Sequence, residues 1–157
     1  MTPIQKKVFQ MLQIFTQICD RLQLKYFLVC GSALGAVKYG GFVPWDDDVD
    51  VALFRNDYER FCKEAPALLP KQFFLQNFQS DPAFPAIYSK LRDSETTCIE
   101  ESVAALPINH GISIDIFPLD GYPKDKKERN DWSARKPGLS ESYLFPVFVL
   151  SDGKKQL

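Results

Sequence analysis

Four aspartates fall within five positions in the stretch PWDDDVDVAL, residues 44–53, and this feature constrains the chain more than any other. Two neighbouring carboxylates about 4 Å apart repel by roughly 1 kcal/mol in water, and by several times more in a sheltered cleft. The apolar residues Val49, Val51 and Leu53 favour a strand that enters a sheet. The sequence therefore places concentrated negative charge at the start of a strand, where a divalent cation is the natural partner.

The acidic stretch predicts a metal site built from alternating aspartates. Because successive side chains of a strand point to opposite faces, we expect Asp48 and Asp50 to share one face, with α-carbons about 6.5 Å apart. Asp46 shares that side if extended geometry begins early. Carboxylate oxygens, with few nitrogen donors and no sulfur, suit Mg²⁺ or Mn²⁺. We therefore predict that these aspartates bind one metal ion, or two held about 4 Å apart.

A further carboxylate candidate lies in GISIDIFPLD, residues 111–120. The alternating isoleucines predict a mostly buried strand, and an acid among them is costly unless it is paired or ligates a metal. Asp115 is therefore predicted to complete the set of carboxylates. It is also a candidate base for an incoming hydroxyl group.

Cys30-Gly31-Ser32 ends one predicted strand and opens a predicted short helix over residues 33–38. Free backbone N–H groups and a hydroxyl at such a junction can bind phosphate. A Gly-Ser pair alone is weak evidence, because many strand–helix turns contain one. Its position just before an acidic strand makes the pair more informative.

The overall pattern predicts an α+β domain, with a mixed α/β sheet flanked by helices. An amphipathic helix begins at Thr2-Pro3, a capping hydroxyl followed by proline, and continues to Leu22. Strands are predicted over residues 25–30, 49–53, 73–78, 87–92, 96–99 and 112–117, and a further helix over 56–68. We predict a catalytic domain over residues 1–128 and an atypical C-terminal tail over 129–157 with little order.

Composition limits the class of function. The 157 residues are enough for one domain with a core. A formal net charge of −1 gives no basic surface of the kind that nucleic-acid-binding proteins show, so no nucleic-acid partner is expected. Four widely spaced cysteines favour reduced thiols in the cytoplasm over a disulfide framework or structural zinc. No stretch approaches the ~20 apolar residues of a membrane-spanning helix.

Three blocks in order resemble the LicD family of phosphotransferases, to which the fukutin-related proteins are similar: GSALGAVKYGGFVPWDDDVDVAL, YSKLRDSET and HGISIDIFPLDGYP. The resemblance implies a nucleotidyltransferase-like fold. It also implies transfer of phosphocholine, or a related phospho-alcohol, from a CDP-linked donor such as CDP-choline to a hydroxyl of a cell-surface glycan. The implied acceptor is a precursor of lipopolysaccharide or teichoic acid, and the implied location is the cytoplasm, peripherally at the inner membrane face.

The resemblance also implies roles for individual residues. The carboxylates assigned to catalysis are Asp48, Asp50 and Asp115. The metal ligands are the same three residues together with Asp46. The groups assigned to the phosphates of the donor are Gly31, Ser32, Lys90 and Arg92. The aromatic candidates for holding a trimethylammonium group by cation–π contact are Tyr39, Trp45 and Tyr88.

Alternatives to the transferase stay open at this point. Family members continue further at the C-terminus, so the resemblance implies a truncated chain. One alternative is accordingly a non-catalytic remnant that binds only metal or nucleotide. Another is nucleotidyl transfer, which moves NMP with the same carboxylates and releases pyrophosphate instead of CMP. A calcium-binding EF-hand loop is disfavoured, because Val51 stands at the sixth position from Asp46, where such a loop needs glycine.

Overall fold

The computed structural model describes residues 1–121 together with Asp125 and Lys127. Its helices and strands run in this order: α1 (Pro3–Leu22), β1 (Tyr26–Leu28), α2 (Cys30–Tyr39), β2 (Asp50–Phe54), α3 (Arg55–Glu64), β3 (Phe73–Gln76), β4 (Ser89–Asp93) and β5 (Ile112–Leu119). Short 3₁₀ helices lie at Ala65–Ala67 and Glu101–Val103. The tail predicted over 129–157 lies outside the described residues. None of the helices in the described part is long and apolar enough to cross a membrane.

The strands of the described region form one mixed sheet in the order β1-β2-β5-β4-β3. β2 and β5 are parallel, whereas the other neighbouring pairs are antiparallel. The predicted α+β class, with a mixed sheet and flanking helices, is confirmed. Because β5 inserts between β2 and β4, residues that are distant in the sequence become neighbours across the sheet.

Helix α1 begins where Thr2-Pro3 predicts it. Thr2 Oγ1 accepts a hydrogen bond from Gln5 N at 3.1 Å, and Gln5 Oε1 accepts one from Thr2 N at 2.8 Å. This reciprocal capping box satisfies two N–H groups that the helix itself leaves unpaired. The apolar residues buried on α1 are Val8, Met11, Leu12, Phe15, Ile18 and Cys19.

The core lies between helices α1 and α3 on one side and one face of the sheet on the other. The buried residues of α1 form one cluster with side chains from α3 and from the sheet: Val51, Leu53, Tyr58, Phe61, Leu75, Leu91, Ile114 and Ile116. Strand residues that alternate with the buried ones point to the opposite face. That opposite face is therefore available for polar and charged groups.

The start of β2 differs by one residue from the prediction, and the strand predicted over residues 96–99 is wrong. β2 begins at Asp50, one residue later than predicted, so Asp48 lies just before the strand and its shared face with Asp50 stays a prediction. No strand forms over 96–99, where the described chain turns instead. Thr96 donates to the carbonyl of Asp93 from both its N–H, at 3.1 Å, and its Oγ1, at 2.7 Å, and this closes a turn directly after β4.

The helix predicted over 56–68 is shorter than expected. α3 ends at Glu64, and the 3₁₀ helix Ala65–Ala67 continues the chain. Pro66 lies in that segment and has no N–H to donate, so it favours the change of helix type. The strand predicted over 73–78 ends at Gln76.

Candidate active site

A row of charged side chains crosses three adjacent strands of the sheet. Asp50 on β2 is the register partner of Asp115 on β5, and Asp115 is the partner of Lys90 on β4. Side chains of partnered residues project to the same face. The adjacent residues Val51 and Ile116 are fully buried in the core, so the row lies on the opposite face.

Lys90 forms ion pairs with two carboxylates. Its Nζ lies 3.0 Å from Oδ1 of Asp115 and 3.0 Å from Oε1 of Glu100. The side chain of Lys90 is 8% exposed and that of Asp115 is 20% exposed, so these charges are screened less than a surface pair. Desolvation raises the pKa of Asp115 above its ordinary value, although Lys90 and a hydrogen bond from Tyr88 act in the opposite direction.

Asp50 is fixed by its backbone and perturbed by its neighbours. Its N–H donates to Ser32 Oγ at 2.8 Å, and its carbonyl accepts from Val29 N at 3.1 Å. Desolvation, followed by the charges of Asp48 and Asp115, raises the pKa of Asp50 to about 7. Contact between the start of α2 and the start of β2 therefore sets the position of this carboxylate.

Asp46 and Asp48 approach the row from the loop before β2. Desolvation, followed by the charge of Asp46 and a hydrogen bond to its side chain, raises the pKa of Asp48 to about 6. The Asp46 carboxylate packs against Gly31, where an added Cβ atom would overlap it. The Asp46 carbonyl accepts a hydrogen bond from Gln5 Nε2 at 2.7 Å, so the first turn of α1 holds the acidic loop. The segment just before β2 thus brings Asp46 and Asp48 close enough to Asp50 for the carboxylates to repel one another.

Gly31 and Ser32 lie in the first turn of α2, where the sequence places a phosphate-binding junction. The absence of a side chain at Gly31 admits the Asp46 carboxylate. The oxygen of Ser32 accepts from the Asp50 N–H, and a hydroxyl that accepts a hydrogen bond can still donate its own proton. The role of this pair as phosphate ligands stays a prediction.

Arg92 lies deeper than Lys90 and is 1% exposed. Its Nε donates to Gln76 Oε1 at 2.8 Å, and its Nη1 donates to the Gly111 carbonyl at 2.8 Å. Its Nη2 lies 3.6 Å from Oε1 of Glu100. Neutral acceptors thus hold two sides of the guanidinium, while the third side faces Glu100. The predicted role of Arg92 toward a donor stays a prediction.

Glu100 is a residue of this site that no sequence pattern identifies. It lies just before the 3₁₀ helix Glu101–Val103 in the long loop between β4 and β5, and its side chain is 44% exposed. A single acid in an irregular loop has no periodic pattern that could reveal a partner. Charge balance was the available signal. Lys90 and Arg92 carry two positive charges beside the single negative charge of Asp115, so another carboxylate is expected nearby.

Tyr88 is the predicted aromatic residue that reaches the row. Tyr88 is close enough to Asp115 that each side chain shifts the pKa of the other, and Nζ of Lys90 lies 5.8 Å from the ring centroid of Tyr88. The ring also packs against Phe117, with centroids 4.6 Å apart. Trp45 is 81% exposed, and its ring centroid lies 6.4 Å from that of Tyr39.

The carboxylate oxygens of the site suit a hard divalent cation, although these side chains are not already positioned around a common point. Among residues 1–121, 125 and 127, no group of three or more His, Cys, Asp or Glu side chains is already arranged to hold a metal ion. Asp46, Asp48 and Asp50 nevertheless supply only carboxylate oxygens, and their mutual repulsion contributes to the raised pKa values of the last two. Metal binding would require these side chains to converge, and it stays a prediction.

The resemblance predicted from the three sequence blocks is confirmed by comparison with known families. A family profile described as "LicD/FKTN/FKRP, nucleotidyltransferase domain" matches residues 23–151, so the chain carries a domain of that class. The chain belongs to the LicD family.

Two relatives indicate what members of this family do. Over 117 residues, the chain is 29% identical to the lipopolysaccharide cholinephosphotransferase LicD of Haemophilus influenzae, covering 74% of this chain and 43% of the relative. Over 147 residues, it is 26% identical to the ribitol-5-phosphate transferase FKTN of Macaca fascicularis, covering 92% of this chain and 27% of the relative. The matched region thus spans less than half the length of either protein.

Proposed function

We propose that this chain is a metal-dependent phosphotransferase that moves phosphocholine, or a related phospho-alcohol, from a CDP-linked donor to a hydroxyl of a cell-surface glycan. The proposal rests on the register of Asp50, Asp115 and Lys90 across three strands. Family membership supports it, and so do the names of two relatives, which are transferases of a phosphate-linked alcohol.

The acidic residues are the proposed metal site. Asp46, Asp48, Asp50 and Asp115 would hold Mg²⁺ or Mn²⁺, since these ions prefer carboxylate oxygens. When bound, the ion would neutralise charge on the phosphates of the donor and make CMP a better leaving group.

Asp115 is the proposed general base. It takes the proton of the acceptor hydroxyl as that oxygen forms a bond to the phosphorus of the phospho-alcohol. The bond from that phosphorus to CMP breaks, and its electron pair leaves with CMP. The position of Asp115 in the middle of the row, between Asp50 and Lys90, supports this role.

Cationic and N–H groups around the row would hold the donor. Lys90 lies beside the base and would compensate the negative charge on the reacting phosphate. The N–H of Gly31 and the hydroxyl of Ser32, in the first turn of α2, would bind further phosphate oxygens. Arg92 would add positive charge from deeper in the sheet.

The test is a transfer assay with the purified chain, Mg²⁺, a lipopolysaccharide acceptor that lacks choline, and either CDP-choline or CDP-ribitol. Release of CMP together with choline on the glycan supports the proposal, and transfer from CDP-ribitol would name a different alcohol. The variants Asp50→Asn and Asp115→Asn should lose at least about 100-fold in rate, whereas the exposed Lys38→Gln should not.

The same assay separates the alternatives. Pyrophosphate release from a nucleoside triphosphate, without transfer from CDP-choline, would favour nucleotidyl transfer. Binding of Mg²⁺ and CDP-choline without turnover would favour a binding function. A protein that binds neither would contradict the proposal.

A further inference from the structure

Glu100 lies between two buried cations and the solvent. The side chains of Lys90 and Arg92 are 8% and 2% exposed, whereas that of Glu100 is 44% exposed. One oxygen of Glu100, Oε1, lies 3.0 Å from Lys90 Nζ and 3.6 Å from Arg92 Nη2. On the face of the sheet opposite the core, the positive charges of Lys90 and Arg92 thus lie near one carboxylate oxygen of Glu100, which belongs to an exposed loop.

Arg92 in particular needs an anion at this position, because Lys90 also pairs with Asp115. Neutral acceptors bind Nε and Nη1 of Arg92, so those contacts do not compensate its charge. Removing the partner of a buried charge is strongly destabilising, because the charge is left desolvated and unpaired.

The particular anion is less strongly specified. The 3.6 Å separation from Arg92 is longer than a hydrogen bond, and a partly exposed carboxylate contributes little binding energy. Glu100 also reaches the sheet from irregular chain, where the neighbouring residues Cys98, Ile99 and Glu101 are exposed. The sheet therefore holds Lys90 and Arg92 in place, whereas Glu100 can move away from them with its loop.

We propose that Lys90 and Arg92 form an anion subsite that Glu100 fills in the free protein, and that a phosphate group of the ligand displaces Glu100 and releases the loop segment 97–104 from the sheet. The exchange preserves charge compensation, since one anion replaces another. A phosphate carries at least as much charge as a carboxylate and more acceptor oxygens, so it can bind both cations at once. The identity of the phosphate as part of a CDP-linked donor rests on the proposed function, whereas the subsite follows from the contacts alone.

The first test compares ligand binding to the unmodified protein, Glu100→Gln and the matched control Glu101→Gln. Inorganic pyrophosphate and CDP-choline are titrated separately by calorimetry in the presence of Mg²⁺. Because Glu100 no longer competes as an anion, Glu100→Gln should bind both ligands about threefold to tenfold more tightly. Glu101 is exposed, and Glu101→Gln should behave like the unmodified protein. Equal or weaker binding by Glu100→Gln overturns the proposal.

Hydrogen exchange on the unmodified protein tests the loop without relying on a variant that must fold. Mg²⁺ with CDP-choline or pyrophosphate should increase amide exchange over residues 97–104, because the segment loses its attachment to Lys90 and Arg92. Val103 is one reporter, since its N–H bonds to the Glu100 carbonyl at 3.1 Å. Unchanged or slower exchange in that segment would overturn the proposal.

The two ligands separate this proposal from the proposed function. If CDP-choline binds equally well to the unmodified protein and to Glu100→Gln, the donor site stands and the displacement is wrong. If pyrophosphate binds more tightly to the variant while CDP-choline binds to neither protein, the subsite stands and the donor assignment is wrong. Binding of neither ligand to any of the proteins would overturn both.

Discussion

Lys90 and Asp115 are register partners across β4 and β5, and their side chains meet at 3.0 Å on the face opposite the core. The pair has a structural purpose before any chemistry takes place. Asp115 lies beside Asp50 in the sheet, and Lys90 offsets the charges of both Asp115 and Glu100. A buried lysine therefore allows an acid to occupy the middle of the sheet.

Replacing Lys90 by methionine should destabilise the fold. The substitution keeps the apolar stem but leaves Asp115 without its cation, a loss of roughly 3 kcal/mol in the free energy of unfolding. Urea denaturation in the presence of a chelator measures this change in the free energy of unfolding. The exposed Lys38→Met is the matched control and should change the unfolding free energy by less than about 0.5 kcal/mol. Similar values for both variants would show that the ion pair does not stabilise the sheet.

Asp50→Asn should stabilise the metal-free protein, although it should slow the proposed transfer reaction. The folded-state pKa of Asp50 is about 7 against an ordinary value of 3.8, so folding at pH 8 buries a charge beside other carboxylates. Removing that charge should raise the free energy of unfolding by roughly 1–2 kcal/mol. This is less than the full pKa shift implies, because Asp50 is partly exposed to solvent.

The sign of the pH dependence follows from the same shift. Between about pH 4 and 7 the folded state holds a proton that the unfolded state has lost, so stability rises as pH falls through 7. The melting temperature of the unmodified protein in chelator should therefore be higher at pH 5.5 than at pH 8. In Asp50→Asn that difference should shrink. A larger difference in the variant would mean that other groups dominate.

Gly31→Ala should disturb the acidic loop. An added methyl group would overlap the Asp46 carboxylate, which is the end of a flexible side chain, so the carboxylate should rotate away at little cost in stability and leave its place beside Asp48. Gly41→Ala is the matched control, because nothing lies within 4 Å of a Cβ atom at that position. Titration should show weaker Mg²⁺ binding by Gly31→Ala only, while the melting temperatures of both variants should stay close to that of the unmodified protein. Normal metal affinity in Gly31→Ala would contradict the packing of Asp46 on α2.

Much of the site was predictable because its residues lie in regular patterns. Alternating isoleucines placed Asp115 on a strand, and the capping sequence at Thr2 placed the start of α1. The register between β2 and β5 was not predictable, since it depends on which strands become neighbours in the sheet. Glu100 was missed for a related reason: its partners, Lys90 and Arg92, lie across a turn and a loop whose conformation no periodicity encodes.

Thiol labelling should report the fold and the loop together. The chain has four free cysteines: Cys19, Cys30, Cys62 and Cys98. Desolvation is the first cause that raises the pKa of Cys19 to about 12 and of Cys30 to about 11, and it also raises that of Cys62. Because the thiolate is the reactive form, these three should react slowly in the native protein, whereas the exposed Cys98 should react fast.

In the native protein, one thiol should be labelled fast, and the Cys98→Ser variant should lack it. After denaturation, all four thiols should be labelled. Two or more fast native thiols would contradict the packing of α1, α2 and α3. Cys98 is also tied to the end of its loop, since its N–H donates to the His110 carbonyl at 2.6 Å. If a phosphate ligand displaces Glu100 two residues away, labelling of Cys98 should accelerate when Mg²⁺ and pyrophosphate are added. Slower labelling under those conditions would mean that the ligand closes the loop instead of releasing it.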